Sequence, residues 1–292
     1  ATNSTAEVEK LEFPMNIIMF FWRMFVQLLW TGGFMVVFSV VSTYFKQNSM
    51  LYVPCVPNAN YKYPSSMPPG YRHPGESGLI YEDVNIMTKD KIKLHGWWVK
   101  AGTNPKLFRT VIFFHENAGN IGTRIPNLEI LVKRLQCNVF IVAYRGYSYS
   151  EGEPDEAGLE LDADATFDHV ISREDVDPGR VFVFGRSLGG AVSIQLAEKK
   201  SNQMKGVIVE NSFTSIGEMV DHLMPMVAPF KKYIQKIFWP SIDRIGEVTA
   251  PMCFIRGMKD EIVPAHHSKK LHDAATKAKF KLFFEFEDGD HN

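Results

Sequence analysis

The sequence has little cysteine and no excess of either charge. Its three cysteines, Cys55, Cys137 and Cys253, are scattered along 292 residues, too few and too far apart for a disulfide framework or a zinc site. Cys137 and Cys253 fall in apolar runs where a thiol behaves as a small hydrophobe, which fits a reducing compartment. Lys and Arg number 32 against 33 Asp and Glu, a formal net charge of −1, so no bulk field draws the chain onto nucleic acid or an acidic surface. Repeats and low-complexity tracts are lacking, which excludes a solenoid. No two of the nine histidines have metal-ligand spacing on one helix face, so neither a metal nor another cofactor is expected.

One absence is local. Between Met24 and Phe45 the chain carries no formal charge, and only Gln27 is strongly polar. Twenty-two helical residues reach roughly 33 Å, enough to cross a hydrocarbon core. The preceding apolar stretch 14–22, closed by Trp22 and Arg23, is expected at the interface. A secretory signal would be shorter and would end in small residues, whereas this run ends in Ser42-Thr43-Tyr44-Phe45-Lys46, so retention as a single-pass anchor in the lipid bilayer is the reading. Lys10 on one flank and Lys46 and Lys62 on the other leave topology and organelle open.

What is present beyond the anchor begins with a linker, 47–79, in which Pro54, Pro57, Pro64, Pro68, Pro69 and Pro74 exclude long regular elements. From 80 to 292, short apolar runs alternate with helical patterns, which predicts a mostly parallel twisted sheet with helices on both faces. Strands are expected at 81–87, 93–99, 111–114, 139–143, 181–184, 206–210, 252–256 and 281–286. Helices are expected at 125–135, 162–172, 188–199 and 266–276. A small cap over about 214–250 carries apolar stripes with Lys231, Lys232 and Lys236 among them. It either roofs a pocket for an acyl chain or completes the core.

The most specific signal is Gly185-Arg186-Ser187-Leu188-Gly189, set between an apolar strand and an amphipathic helix, as a G-x-S-x-G nucleophile elbow requires. A serine hydroxyl needs a base to take its proton and a third group to orient that base. In chain order, Asp260 follows the strand at 252–256 and His291 follows the last strand, both on strand-end loops. Glu210, at the end of the strand at 206–210, is the competing acid. Asp288 and Asp290 read as turn formers. His115 ends a strand and reads as a structural hydrogen-bonding residue, while His95, His222, His266, His267 and His272 show no partner pattern. The Leu188 N–H, at the start of the helix, is one expected oxyanion donor.

Several further motifs join these: Leu51-Tyr52-x-Pro54, Asn117-Ala118-Gly119-Asn120-Ile121-Gly122, Tyr144-Arg145-Gly146-Tyr147 with Ser150-Glu151-Gly152, Glu210-Asn211-x-Phe213 and Gly289-x-His291-Asn292. Together they resemble the membrane-anchored α/β-hydrolase-domain proteins of the bud-emergence type, from the anchor to the last residue. The resemblance implies an α/β-hydrolase fold and hydrolysis of ester or thioester bonds, with Ser187 as nucleophile, His291 as base, Asp260 as acid and the backbone N–H groups of Asn117 and Leu188 as oxyanion donors. Related branches remove long acyl chains from protein cysteines, which makes an acyl-protein thioesterase the expected activity.

Three departures from the family pattern stand out. Glu116 replaces a glycine after the strand-end histidine, where positive φ would strain it and its carboxylate would oppose an oxyanion. Ala143 replaces an aspartate that fixes the following loop. The family also continues past the histidine into a helix on the sheet, so either the chain extends beyond Asn292 or that face is covered by something else, and Ala1 in place of an initiator methionine points to processing or an upstream start. Glu116 and the absent tail favour the alternative function, a catalytically weak or silent hydrolase fold serving as a structural subunit of a membrane complex.

Overall fold

The structure is a computed structural model that describes residues 15–55, 59 and 61–291. The chain divides into two compact units, residues 1–46 and residues 47–292. In the first lies most of α1, a continuous helix Met15–Leu51 in which no side chain is buried. The stretch expected at the interface is thus part of the helix, and the helix runs on into the stretch expected as linker. It is long and apolar enough to cross a membrane by length and composition.

The second unit is built on eight strands: β1 (Ile80–Met87), β2 (Lys93–Lys100), β3 (Arg109–Phe114), β4 (Cys137–Val142), β5 (Val181–Arg186), β6 (Gly206–Glu210), β7 (Met252–Gly257) and β8 (Lys281–Phe286). They form one sheet in the order β1-β2-β4-β3-β5-β6-β7-β8. Only the β1–β2 and β2–β4 pairs are antiparallel, and β3, β4, β5, β6, β7 and β8 run parallel. The central strands read as unbroken apolar runs because helices cover both faces; every residue of β4 is buried.

The helices of this unit are α2 (Ile125–Glu129), α3 (Glu156–Ile171), α4 (Leu188–Lys200), α5 (Ile216–Leu223), α6 (Lys231–Ile234), α7 (Ser241–Arg244) and α8 (His266–Ala274). After α2 the chain continues as a π-helical turn, Ile130–Arg134, so the helix expected at 125–135 is present with a changed winding. α3 starts six residues earlier than the apolar pattern indicates, because the Asp155 carboxylate caps it by accepting from Gly158 N at 2.6 Å. α4 is buried from Leu188 to Ala197, which places it between sheet and solvent-facing layers as the central support of the elbow.

The proline-rich stretch holds two short 3-10 turns, Pro64–Ser66 and Pro74–Ser77. Its first residues are stitched to the sheet's rim: Val53 N donates to Asn117 O, and Val53 O accepts from Gly119 N, both at 2.9 Å.

Candidate active site

The elbow at Ser187 follows from two steric facts. Ser187 has φ 53° and ψ −117°, a strained conformation for a residue with a side chain, of the kind concentrated at functional sites. It is held there by its own N–H, donating to Glu210 O at 2.9 Å, and by Ser212 Oγ and Gly190 N, donating to Ser187 O at 2.8 and 2.9 Å. The flanking glycines are obligatory. A Cβ on Gly185 would lie 2.0 Å from Gly189 O, and one on Gly189 would lie 1.9 Å from Phe114 O. Strand β5 and helix α4 therefore approach closely enough to set Ser187 on a sharp turn at the strand end, and the Leu188 N–H opens α4 as one of the donors a helix leaves without an intrahelical acceptor.

Asp260 and His291 meet. Asp260 Oδ2 lies 2.7 Å from His291 Nδ1, while Oδ1 accepts from Ile262 N and Val263 N at 2.9 and 2.8 Å. Burial by itself would raise the Asp260 carboxyl, but the His291 contact and the two backbone N–H groups outweigh it and hold the group below the usual carboxylate value. The His291 loop is pressed onto the end of β7, where Lys259 N donates to Gly289 O at 2.8 Å. A Cβ on Gly257 there would come 2.4 Å from Gly289 O. Ser187 and His291 are both nearly buried, and among the described residues no hydrogen bond joins Ser187 Oγ to His291. The expected contact is therefore open in this conformation, as such bonds often are without substrate.

Glu210 is occupied otherwise. Both its oxygens receive Arg186, at 2.9 and 3.0 Å, so this carboxylate is committed to the elbow's own arginine and not to His291. Asp288 is exposed and pairs with Lys259.

The loop after β3 corrects the reading of Glu116. Its φ is not positive, so no left-handed strain exists there. The side chain is buried and ion-paired with Arg124 at the end of the turn Ile121–Arg124, with Oε2 left buried and without a hydrogen-bond partner. A carboxylate matched by a guanidinium opposes a neighbouring anion far less than a bare one. Asn117 is fixed on both sides: Tyr147 Oη donates to its carbonyl at 2.7 Å, and its Nδ2 donates to Leu51 O at 2.9 Å. His115 is fully buried, its Nδ1 2.7 Å from Glu116 O, and burial above all lowers its pKa to about 3. It is a neutral structural residue.

Ala143 does not loosen its loop. Arg145 N and Nε donate to Asp162 at 2.8 and 2.9 Å, and Ser150 Oγ donates to Ala143 O at 2.7 Å, so the loop is fixed from α3 instead.

Sequence reasoning gave no role to three residues that organise this rim. Asn211, at φ 46°, accepts from Gly257 N at 2.8 Å and donates to Asp290 O and His291 O at 2.9 and 3.2 Å, tying the ends of β6, β7 and the His291 loop together. Arg124 and Arg186 neutralise Glu116 and Glu210. The signal for Asn211 was its place directly after Glu210 at a strand end; the arginines gave none.

Among the other histidines, His95 Nε2 lies 2.7 Å from Asp83 and His272 Nδ1 lies 3.0 Å from Asp273. Ligand atoms of Glu218, His266 and His267 lie within 4.8 Å of one another, a grouping the helix spacing did not indicate. Glu218 is taken by Lys270 at 2.7 Å, and His267 Nδ1 lies 2.7 Å from Thr214 Oγ1.

Residues 160–291, the span that contains Ser187, Asp260 and His291, match the model of the prolyl oligopeptidase family. The chain is 37% identical over 257 residues to the alpha/beta hydrolase domain-containing protein WAV2 of Arabidopsis thaliana, covering 84% of this chain and 81% of that one. It is 35% identical to the protein bem46 of Schizosaccharomyces pombe, covering 79% and 78%. With the uncharacterized membrane protein YNL320W of Saccharomyces cerevisiae it shares 36% identity, covering 87% and 86%. Among solved structures, the Pyrococcus furiosus esterase Pf2001 matches with a TM-score of 0.61 at 20% identity, over 75% of this chain and 87% of that one, a likeness of fold.

Proposed function

Because the chain belongs to the α/β-hydrolase-domain family of WAV2 and bem46, we propose that it is a membrane-tethered serine hydrolase of esters or thioesters, with Ser187, His291 and Asp260 as triad. The observation that carries this reading is the pairing of Asp260 with His291 Nδ1 at 2.7 Å on the same sheet rim as a serine held at φ 53°. In this reading Asp260 fixes the tautomer with the proton on Nδ1, which leaves Nε2 to act as the base toward Ser187.

His291 takes the Ser187 proton as Oγ attacks the acyl carbon. The tetrahedral oxyanion is met by the N–H groups of Leu188 and Asn117. On collapse, the bond to the alcohol or thiol breaks, the leaving group takes the proton from His291, and the acyl group stays on Ser187. Water, deprotonated by His291, then releases the acid and restores the serine. The tether is α1, supported by its composition and by the membrane-protein name of the yeast relative. An acyl-protein thioesterase is the finer form of the reading, supported by the exposed apolar cap. The structural-subunit alternative rested on Glu116 and on the absent C-terminal helix, and the ordinary φ of Glu116 and its contact with Arg124 weaken the first of these supports.

The test is hydrolysis by the full chain of a short-chain p-nitrophenyl ester and of a long-chain acyl thioester. Turnover of both, lost in Ser187→Ala, is expected; turnover that survives Ser187→Ala contradicts the assignment.

A further inference from the structure

Two helices far apart in the chain bring three metal-ligating side chains together. α5 opens the cap and carries Glu218 in its first turn, and α8 begins at His266 and His267 on the chain that leads away from Asp260. One ligand atom of each, a carboxylate oxygen and two imidazole nitrogens, lie within 4.8 Å of one another. Histidine spacing on one helix face misses such a group, because its third member arrives from another element.

His267 is fully buried. Thr214 Oγ1 and N stand 2.7 and 3.3 Å from its Nδ1 and fix the ring, as outer contacts fix a metal-bound imidazole, while its Nε2 is buried with no hydrogen-bond partner. Burial above all lowers its pKa to about 4, so at neutral pH the ring is in the uncharged form that ligates a metal. His266 is exposed and stacks on it, with ring centroids 4.3 Å apart. The Glu218 carboxylate is held by Lys270, whose Nζ lies 2.7 Å from Oε2 and whose side chain is half exposed. That ammonium occupies the place of a counter-cation and is free to turn into water when a divalent ion takes the carboxylate. Two imidazoles and one carboxylate suit zinc, whereas calcium and magnesium are bound by oxygen ligands. Three protein ligands leave a tetrahedral zinc its fourth position for water.

We propose that Glu218, His266 and His267 form a zinc site that staples the cap helix α5 to α8, with Lys270 leaving Glu218 as the metal enters. The site draws nothing from Ser187. α8 is reached from Asp260 through the turn whose Ile262 N and Val263 N hold that carboxylate, so the staple ties the cap to the segment that carries the acid.

The full chain in detergent, without a histidine tag and cleared of metal by a chelator, is titrated with zinc by calorimetry and with cobalt by visible absorption. Binding of a single zinc per chain is expected, with cobalt bands of nitrogen and oxygen ligation and no thiolate charge transfer. His266→Ala and Glu218→Gln, both at side chains outside the buried core, are expected to weaken binding by at least about tenfold. His272→Gln, on the same helix but outside the group, and Ser187→Ala are expected to bind as the parent does, which keeps this outcome separate from the fate of the hydrolase reading. Lys270→Ala is expected to bind several-fold tighter, because a competing ammonium is gone. A chain that binds no zinc, or that binds it as well in His266→Ala or Glu218→Gln as in the parent, overturns the site. Thiolate bands put the metal on cysteine and overturn it too, and Lys270→Ala binding no tighter than the parent overturns the exchange with Lys270.

Discussion

Asp260 Oδ2 and His291 Nδ1 lie 2.7 Å apart, and the second carboxylate oxygen of Asp260 is held by two backbone N–H groups, so the acid cannot turn without losing both. Replacing it with asparagine keeps the shape but presents an N–H to Nδ1, which favours the wrong imidazole tautomer. Asp260→Asn is expected to lower kcat by about 10²–10⁴-fold with an unchanged circular dichroism spectrum. Retained activity would move the acid to another residue.

The elbow allows no extra atom. With Phe114 O 1.9 Å from where a Cβ on Gly189 would sit, Gly189→Ala must push helix α4 off strand β3. A loss of stability of about 3 kcal/mol or more is expected, read as a fall in the urea midpoint or as insoluble expression. A variant as stable as the parent would contradict the close approach.

Glu116 is now a structural residue. Removing it leaves Arg124, itself nearly buried, without its counter-charge, and breaking such a pair costs about 3–5 kcal/mol. Glu116→Gly is therefore expected to melt lower by on the order of 10 °C and to gain no activity on a p-nitrophenyl ester. A rise in kcat at unchanged stability would show that the carboxylate opposes the oxyanion.

His115 gives the fold an acid-labile point. Its pKa is near 6.5 in an unfolded chain and about 3 in the folded one, where burial disfavours the charge. Between those values the unfolded state binds the proton and the folded state does not, so this contribution is complete above about pH 6.5 and is lost as pH falls toward 3. Its full size is about 3–5 kcal/mol. Stability measured by urea unfolding should fall across that window, and His115→Asn should flatten the slope; an unchanged slope would contradict it.

All eight strands and their order along the chain were legible, because the central ones are continuous apolar runs and the edge pair turns at Lys89-Asp90. Their order in the sheet was not, since crossovers leave no local signal. The elbow at Ser187 and the meeting of Asp260 with His291 were legible from motif and chain order, as each residue follows a strand that ends at one rim. The positive φ expected at Glu116 is not adopted, and its partner Arg124, eight residues on at the far side of a turn, was not legible because the sequence does not reveal the geometry of that turn. The start of α3 was missed because a cap, Asp155, and not hydrophobic periodicity, sets it.

The central claim is that Ser187 is an activated nucleophile, and covalent labelling of the full chain by a fluorophosphonate probe tests it most directly. The account predicts one label per chain, on Ser187, absent from Ser187→Ala and strongly slowed in His291→Ala. A folded chain that takes no label, or takes it equally without Ser187, would contradict the account.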